Sequence, residues 1–219
     1  MTATIKYQGR QARREGSEQR RKAILEAALR IIISDGIRSV RHRAVAKEAE
    51  VPLSATTYYF KDIHELIADS FTLFAERAME EVIKPFHEEA LRLMESVPET
   101  DSEEGRQQLI DVLATAISAY IEQGVHGRRE HNLAEQAFYQ EAMIEDNLRR
   151  LAIHYRQEQI KVLCHACERL GVAAPQLAAE LIFSQVLGWE QELLLDADAF
   201  QEGALFQRAQ YLLRLVLNS

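Results

Sequence analysis

Apolar residues recur at three- and four-residue spacing along nearly the whole chain, and little interrupts them. Ile24, Ala27, Ala28, Ile31 and Ile32 set the pattern, and Leu109, Leu113, Ala116, Ile117 and Tyr120 repeat it. Such spacing puts these side chains on one face of a helix. Only nine Gly and four Pro are scattered through 219 residues, and no strand-period alternation stands out. A chain of this kind buries helix face against helix face, so the expected fold class is all-α. With 47% apolar and 27% charged residues it has the balance of a globular protein with a core. No stretch reaches the roughly 18 uncharged apolar residues of a membrane span. The Arg and Lys of the N-terminus are not followed by the apolar segment of a secretory signal. Two cysteines, Cys164 and Cys167, do not make a disulfide framework. A cytoplasmic location with no membrane partner is therefore expected.

The breaks in the pattern divide the chain. Residues 1–16 have no apolar period and read as a mobile basic arm. A first helix over 18–35 ends where Gly36 can supply a left-handed cap. A short helix over 41–48 turns Val45, Ala46 and Ala49 inward. Glu50, Val51 and Pro52 interrupt it, and a third helix follows to about Phe60, with Pro52 tolerated in its first turn. Asp62 is an expected N-cap for a fourth helix, with Glu65 three residues on as in a capping box. That helix is expected to end before Pro85. Further helices are expected over 86–94, 106–123, 132–170 (as one, or two joined near Asp146), 175–195 and 198–217. The segment from Gly124 to His131 reads as a loop.

Charge is unevenly spread. Residues 1–62 carry 13 Lys and Arg against 7 Asp and Glu, a balance of +6. The rest of the chain carries 13 against 27, which brings the whole to −8. A basic first third on an acidic body suits contact with a polyanion at one end only. The segment Val51 to Phe60, VPLSATTYYF, lies in that basic third. Successive helical side chains are about 100° apart, so its three consecutive aromatics cannot all face one core. Two short helices after a longer one form a helix-turn-helix, whose second member enters a DNA major groove. On this reading Val51 and Phe60 face inward, Thr57 and Tyr58 outward, and Tyr59 either way.

The run RRKAILEAALRIIISDGIRSVRHRAVAKEAEVPLSATTYYFKDIHEL, residues 20–66, resembles the N-terminal domain of the TetR family of bacterial transcriptional regulators. The most specific matches are Arg21, Ile24, Ala27, Ala28, Gly36, RHRAVAKEAEV, and YYF followed by Leu66. The resemblance implies a three-helix DNA-binding domain over 17–64 and a helical-bundle domain for effector binding and dimerisation over 65–219. It implies that Arg43 contacts DNA from the second helix. Leu53, Ser54 and Ala55 would open the recognition helix, and Thr57, Tyr58 and Tyr59 would follow on it, with hydroxyls bonding phosphate oxygens. Arg43 would read guanine, and Leu53 or Ala55 a thymine methyl. Two positions depart from the family pattern. Glu50 stands where the turn usually has glycine, and Ile63 where the fourth helix usually starts with lysine. Lys61, Arg41, His42 and the arm residues Arg10, Arg13 and Arg14 are available to compensate. The arm is either a minor-groove reader or a solvated tail.

The resemblance further implies operator DNA as partner, a homodimer through the last helices, and a small-molecule effector bound in the body. Leu177, Leu181, Ser184 and Gly188 are the expected dimer face; Trp189 is either its anchor or intramolecular core. Phe71, Phe74, Ile117, Tyr120, Phe138 and Tyr139 are the expected effector-pocket walls, suited to an apolar or aromatic molecule. Repression relieved by effector is the family's usual mode.

Other functions fit less well. No His has Glu three residues before it, and neither a Gly-rich phosphate loop nor a GxSxG elbow occurs. No catalysis, metal or cofactor is expected. Cys164 and Cys167 lie one helical turn apart, as buried thiols or as a metal- or redox-responsive pair. An adaptor that keeps the fold without binding DNA is the remaining alternative, motivated by Glu50 and Ile63.

Overall fold

The first helix forms because Ile24, Leu25, Ala27, Ala28, Ile31 and Ile32 share a face, and all six are buried. The computed structural model describes residues 7–10, 15–97 and 102–217; among these there are ten α-helices and no strand. Contacts gather the chain into two units. One comprises residues 1–78 with 133–156, the other 79–132 with 157–219.

In the first unit α1 (Glu15–Asp35) packs on α2 (His42–Glu48), α3 (Leu53–Tyr59) and α4 (Ile63–Ala78). Val45, Phe60, Leu66 and Phe71 are wholly buried, and each such side chain stabilises the unit by about 1.5–3 kcal/mol. α1 closes at Gly36, whose φ of 80° and ψ of 161° form a positive-φ backbone that favours glycine but is not the left-handed helical cap the sequence suggests. A single 3-10 turn, Ile37–Ser39, leads into α2. α4 starts as its sequence suggests: Asp62 Oδ1 accepts from the Glu65 amide at 2.9 Å. The Glu65 carboxylate returns to the amide of Lys61 rather than that of Asp62. Parts of α7 (Arg129–Ala142) and α8 (Asp146–Arg169) complete this unit. The division expected from function, 17–64 and 65–219, is thus not the one drawn by packing, which groups α4 with the first three helices.

In the second unit α6 (Glu103–His126) packs against α5 (Lys84–Glu95), α9 (Pro175–Leu195) and α10 (Ala204–Leu217). Leu113, Ile117 and Ile121 of α6 share a core with Trp189 and Leu193 of α9 and with Leu205, Ala209 and Leu213 of α10. No described helix is long and apolar enough to cross a membrane.

Several boundaries differ from the sequence expectation. α4 ends at Ala78, before Pro85 as expected, but the chain stays helical through Pro85, which falls in the first turn of α5. The run changes at Met79–Ile83, a π-helical turn. α6 continues through Gly124 to His126. A Cβ at Gly124 would lie 2.8 Å from Asn132 Nδ2, so a close approach explains a glycine in mid-helix. The 132–170 stretch is two helices, α7 and α8, and the last helix begins at Ala204, six residues after the expected start.

Candidate nucleic-acid interface

The turn between α2 and α3 is built by three backbone hydrogen bonds. Ala49 N donates to Val45 O, Glu50 N to Lys47 O, and Val51 N to Ala46 O, the last at 2.9 Å. The pattern is a Schellman cap, and its left-handed residue is Glu50, at φ 53°. The family's glycine position is therefore occupied by a residue held in the glycine conformation. An L-residue there costs about 1–2 kcal/mol.

This turn fixes which side chains of α2 and α3 point outward. Val45 and Ala46 are buried, and Arg41 and Arg43 are exposed. On α3, Thr56 is wholly buried and its hydroxyl donates to Leu53 O at 2.8 Å. Leu53 is 44% and Tyr58 53% exposed, and Ser54 and Thr57 lie on the same open side. His42 and Ala55 are half-buried, and Lys61 is exposed just before α4. Nine of the ten expected DNA-contact residues thus have some accessible surface. Tyr59 does not. It is 4% exposed, and its hydroxyl is 2.7 Å from Ser17 Oγ, so it braces α3 against α1.

Of the expected arm, Arg13 and Arg14 lie outside the described residues, as do residues 1–6. Residues 7–10 are tied down. Gln8 N and Gly9 N donate to the two oxygens of Asp69 at 2.6 and 2.9 Å. Arg10 N donates to Tyr59 O at 2.9 Å. Asp69 is wholly buried and also accepts from Arg21 at 2.6 Å. The sequence reading did not single out Asp69. The available signal was one carboxylate amid the apolar IADSFTLF run of α4.

The expected effector walls fall on both units. Phe71, Phe74 and Phe138 belong to the first, where they pack on one another and on Tyr155 with ring centroids 5.0–6.2 Å apart. These rings fill each other's space instead of lining a void. Tyr139 lies in the same unit and is half-buried. Ile117 and Tyr120 belong to the second unit, where the Tyr120 ring packs on Phe86 at 4.5 Å and the Arg128 guanidinium lies over it, 4.7 Å from its centroid. A cavity of about 200 Å³ in the first unit is lined instead by Ile37, Arg38, Val40, Ile63, His64, Ile67, Glu141, Glu145 and Leu148.

On α9, Leu177 and Leu181 are 58% and 51% exposed, Ser184 is exposed and Gly188 half-buried. Their spacing puts them on one face. Trp189 is not on it: at 4% exposure it belongs to the intramolecular core. Burial pushes the Cys167 thiol up to about 11, and Cys164 is also raised, by burial first and then by Glu168. Neither is poised as a thiolate at neutral pH. Among the described residues no group of three or more His, Cys, Asp and Glu side chains is placed to hold a metal ion.

No protein-family model matches the chain. A curated relative, the HTH-type transcriptional regulator PksA of Bacillus subtilis (strain 168), is 37% identical over 65 residues. That stretch is 30% of this chain and 32% of the relative, so the match spans about a third of the relative's length. Solved structures match along most of the chain. A TetR-family member from Streptomyces coelicolor A3 is 22% identical over 90% of this chain and 98% of its own, with a TM-score of 0.56. A protein from Mesorhizobium loti MAFF303099 assigned to the same family is 18% identical over 95% and 98%, at 0.65. The multidrug binding protein EbrR, solved with imidazole, is 20% identical over 90% and 94%, at 0.60. The chain thus has the fold of solved TetR-family transcriptional regulators.

Proposed function

We propose that the chain is a sequence-specific transcriptional regulator that binds operator DNA as a homodimer, and that it represses until a small molecule releases it. The observation that carries this reading is the outward set on α2 and α3: Arg41, Arg43, Leu53, Ser54, Thr57 and Tyr58 are accessible on a helix-turn-helix whose other side is fully packed. Arg43 offers a planar fork to a guanine edge, and Leu53 an apolar contact for a thymine methyl. Ser54, Thr57 and Tyr58 offer hydroxyls to phosphates, which set register without reading sequence. A single helix-turn-helix covers few base pairs, so two copies on a two-fold site supply the specificity. The exposed α9 face of Leu177, Leu181, Ser184 and Gly188 supports the homodimer, since an apolar helix face of this kind is what a C2 interface uses. DNA as the partner places the protein in the cytoplasm.

Release requires a body with two shapes, one of which binds the effector better; equal affinity for both would shift nothing. EbrR has been solved with imidazole and with proflavin. An aromatic or apolar organic effector is the corresponding reading here, supported by Phe71, Phe74, Phe138 and Tyr139 in the first unit and Ile117 and Tyr120 in the second.

The test is selection of duplexes from a random pool by the full-length chain, followed by anisotropy titration of the recovered duplex and a scrambled control. Enrichment of a two-fold motif is expected. Arg43→Ala should weaken binding to the selected duplex by about 1–3 kcal/mol and flatten the preference at one base pair. Thr57→Ala should weaken selected and scrambled duplexes alike. A pool that stays random, or two variants that bind as the wild type does, would remove the interface from α2 and α3.

A further inference from the structure

The segment Tyr7–Arg10 is pinned to four helices of the first unit. Gln8 N and Gly9 N share the buried carboxylate of Asp69 on α4 with Arg21 of α1. The side-chain amides of Gln8 and Asn147, at the start of α8, donate to each other at 3.0 and 2.8 Å. The Tyr7 hydroxyl donates to Glu76 at 2.5 Å, and the Tyr7 ring lies against the Arg21 guanidinium at 4.4 Å. Gly9 is buried, and a Cβ there would lie 2.8 Å from Asp69 Oδ2 and 2.8 Å from the Phe60 ring. Only glycine lets the backbone come this close.

The anchoring has one outward result. Arg10 leaves the surface beside the C-terminal end of α3, where its amide takes up Tyr59 O at 2.9 Å. Its guanidinium lies over the ring of Tyr58 at 4.3 Å, and Tyr58 stands edge-on to the buried Tyr59 at 5.0 Å. A guanidinium on a ring uses its flat face there. Its N–H donors lie in its plane, along the edge, in the geometry that suits phosphate oxygens. Arg10 and Tyr58 are both exposed. An arm reaching into a minor groove would have to leave the protein surface, whereas this one is bonded to it up to Arg10.

We propose that Arg10 and Tyr58 form one composite phosphate contact on operator DNA, with Gly9 and Asp69 acting as the positioning residues that hold Arg10 on the Tyr58 ring. The proposal rests on the DNA-binding reading of α3. It adds a cation to the recognition helix itself, which carries no Lys or Arg between Leu53 and Tyr59. The contact is sequence-independent, and it charges a helix whose other phosphate donors are neutral hydroxyls.

The experiment measures association of the full-length chain with a selected duplex and a scrambled one between roughly 50 and 200 mM salt. Variants are Arg10→Gln, Tyr58→Leu, their double, and Gly9→Ala. Arg10→Gln should make the slope of log K against log salt shallower by about 0.9 for each protomer on the DNA, with equal loss on both duplexes. Tyr58→Leu should lower affinity, and the double variant should lose less than the sum of the singles, as coupled partners do. Gly9→Ala should reproduce the loss of Arg10→Gln while Arg10 is still present. Arg10 and Tyr58 are exposed, so unchanged helicity and melting are expected for their variants. A salt slope unchanged in Arg10→Gln, on a duplex that the wild type binds, overturns the proposal and leaves the DNA-binding reading intact. Additive losses, or a loss confined to the selected duplex, overturn it too. A wild type that retains no duplex overturns the DNA-binding reading, and the proposal with it.

Discussion

Asp69 accepts three hydrogen bonds with no exposed surface, from two backbone amides and the Arg21 guanidinium. Arg21 is itself only 2% exposed. Removing one member of such a pair leaves the other buried and uncompensated, at a cost of about 3–5 kcal/mol. Asp69→Ala should lower unfolding stability by that order in urea, more than any surface ion pair such as Arg30 with Glu48. His131 makes the opposite kind of statement. Burial first, and the Arg128 guanidinium second, push its imidazole down to about 4. In the unfolded chain a histidine takes its proton near pH 6.5. Between about 6.5 and 4 the unfolded state therefore holds the extra proton. Stability should fall as pH drops through that window, by up to about 3 kcal/mol. Urea midpoints from pH 7 to 4 should show this slope in the wild type and a shallower one in His131→Gln.

At the scale of elements, the α2–α3 turn is where local preference and fold disagree most openly. The Schellman cap demands a left-handed residue and finds Glu50. Glu50→Gly should raise stability by about 0.5–1 kcal/mol, the relief of strain less the added freedom of the unfolded chain. A melting temperature unchanged or lowered would contradict this. The same turn shows what was legible in the sequence. Apolar spacing and Gly36 located α1, and the Glu50–Pro52 break separated α2 from α3, because each rests on local backbone chemistry. The outward face of α3 was legible for Thr57 and Tyr58. It was not for Tyr59, whose burial depends on Ser17 reaching it from α1, a contact between residues 42 positions apart. The Asp69 anchor was hidden for the same reason: its donors come from residues 8, 9 and 21. Gly124 misled because glycine in mid-helix answers a close neighbour as well as a helix end. Helical spacing of aromatic residues did not show that Phe71, Phe74, Phe138 and Tyr155 pack on one another, because those contacts join residues from distant parts of the sequence.

For the molecule as a whole, the charge division bears on the proposed DNA contact: the basic first 62 residues attract a polyanion, and the remainder, with its excess of acids, is repelled by it. Orientation on the duplex follows from that asymmetry before any base is read. On the proposed homodimer, affinity depends on dimerisation, because two half-sites are engaged together. Leu181→Glu places a charge in the middle of the exposed α9 stripe, where Leu177 and Ser184 flank it one turn to either side. It should leave helicity unchanged, convert the protein to monomer in sedimentation, and abolish high-affinity binding to the two-fold motif while weak binding to scrambled duplex persists. The strap of residues 7–10 has a consequence for how the molecule meets a protease. Trypsin needs an extended backbone with the arginine side chain drawn into its own pocket, and Arg10 has its amide on Tyr59 and its guanidinium on Tyr58. The bond after Arg10 is cut only from the lifted state, so the rate at which the first ten residues are shed reports how often the strap opens.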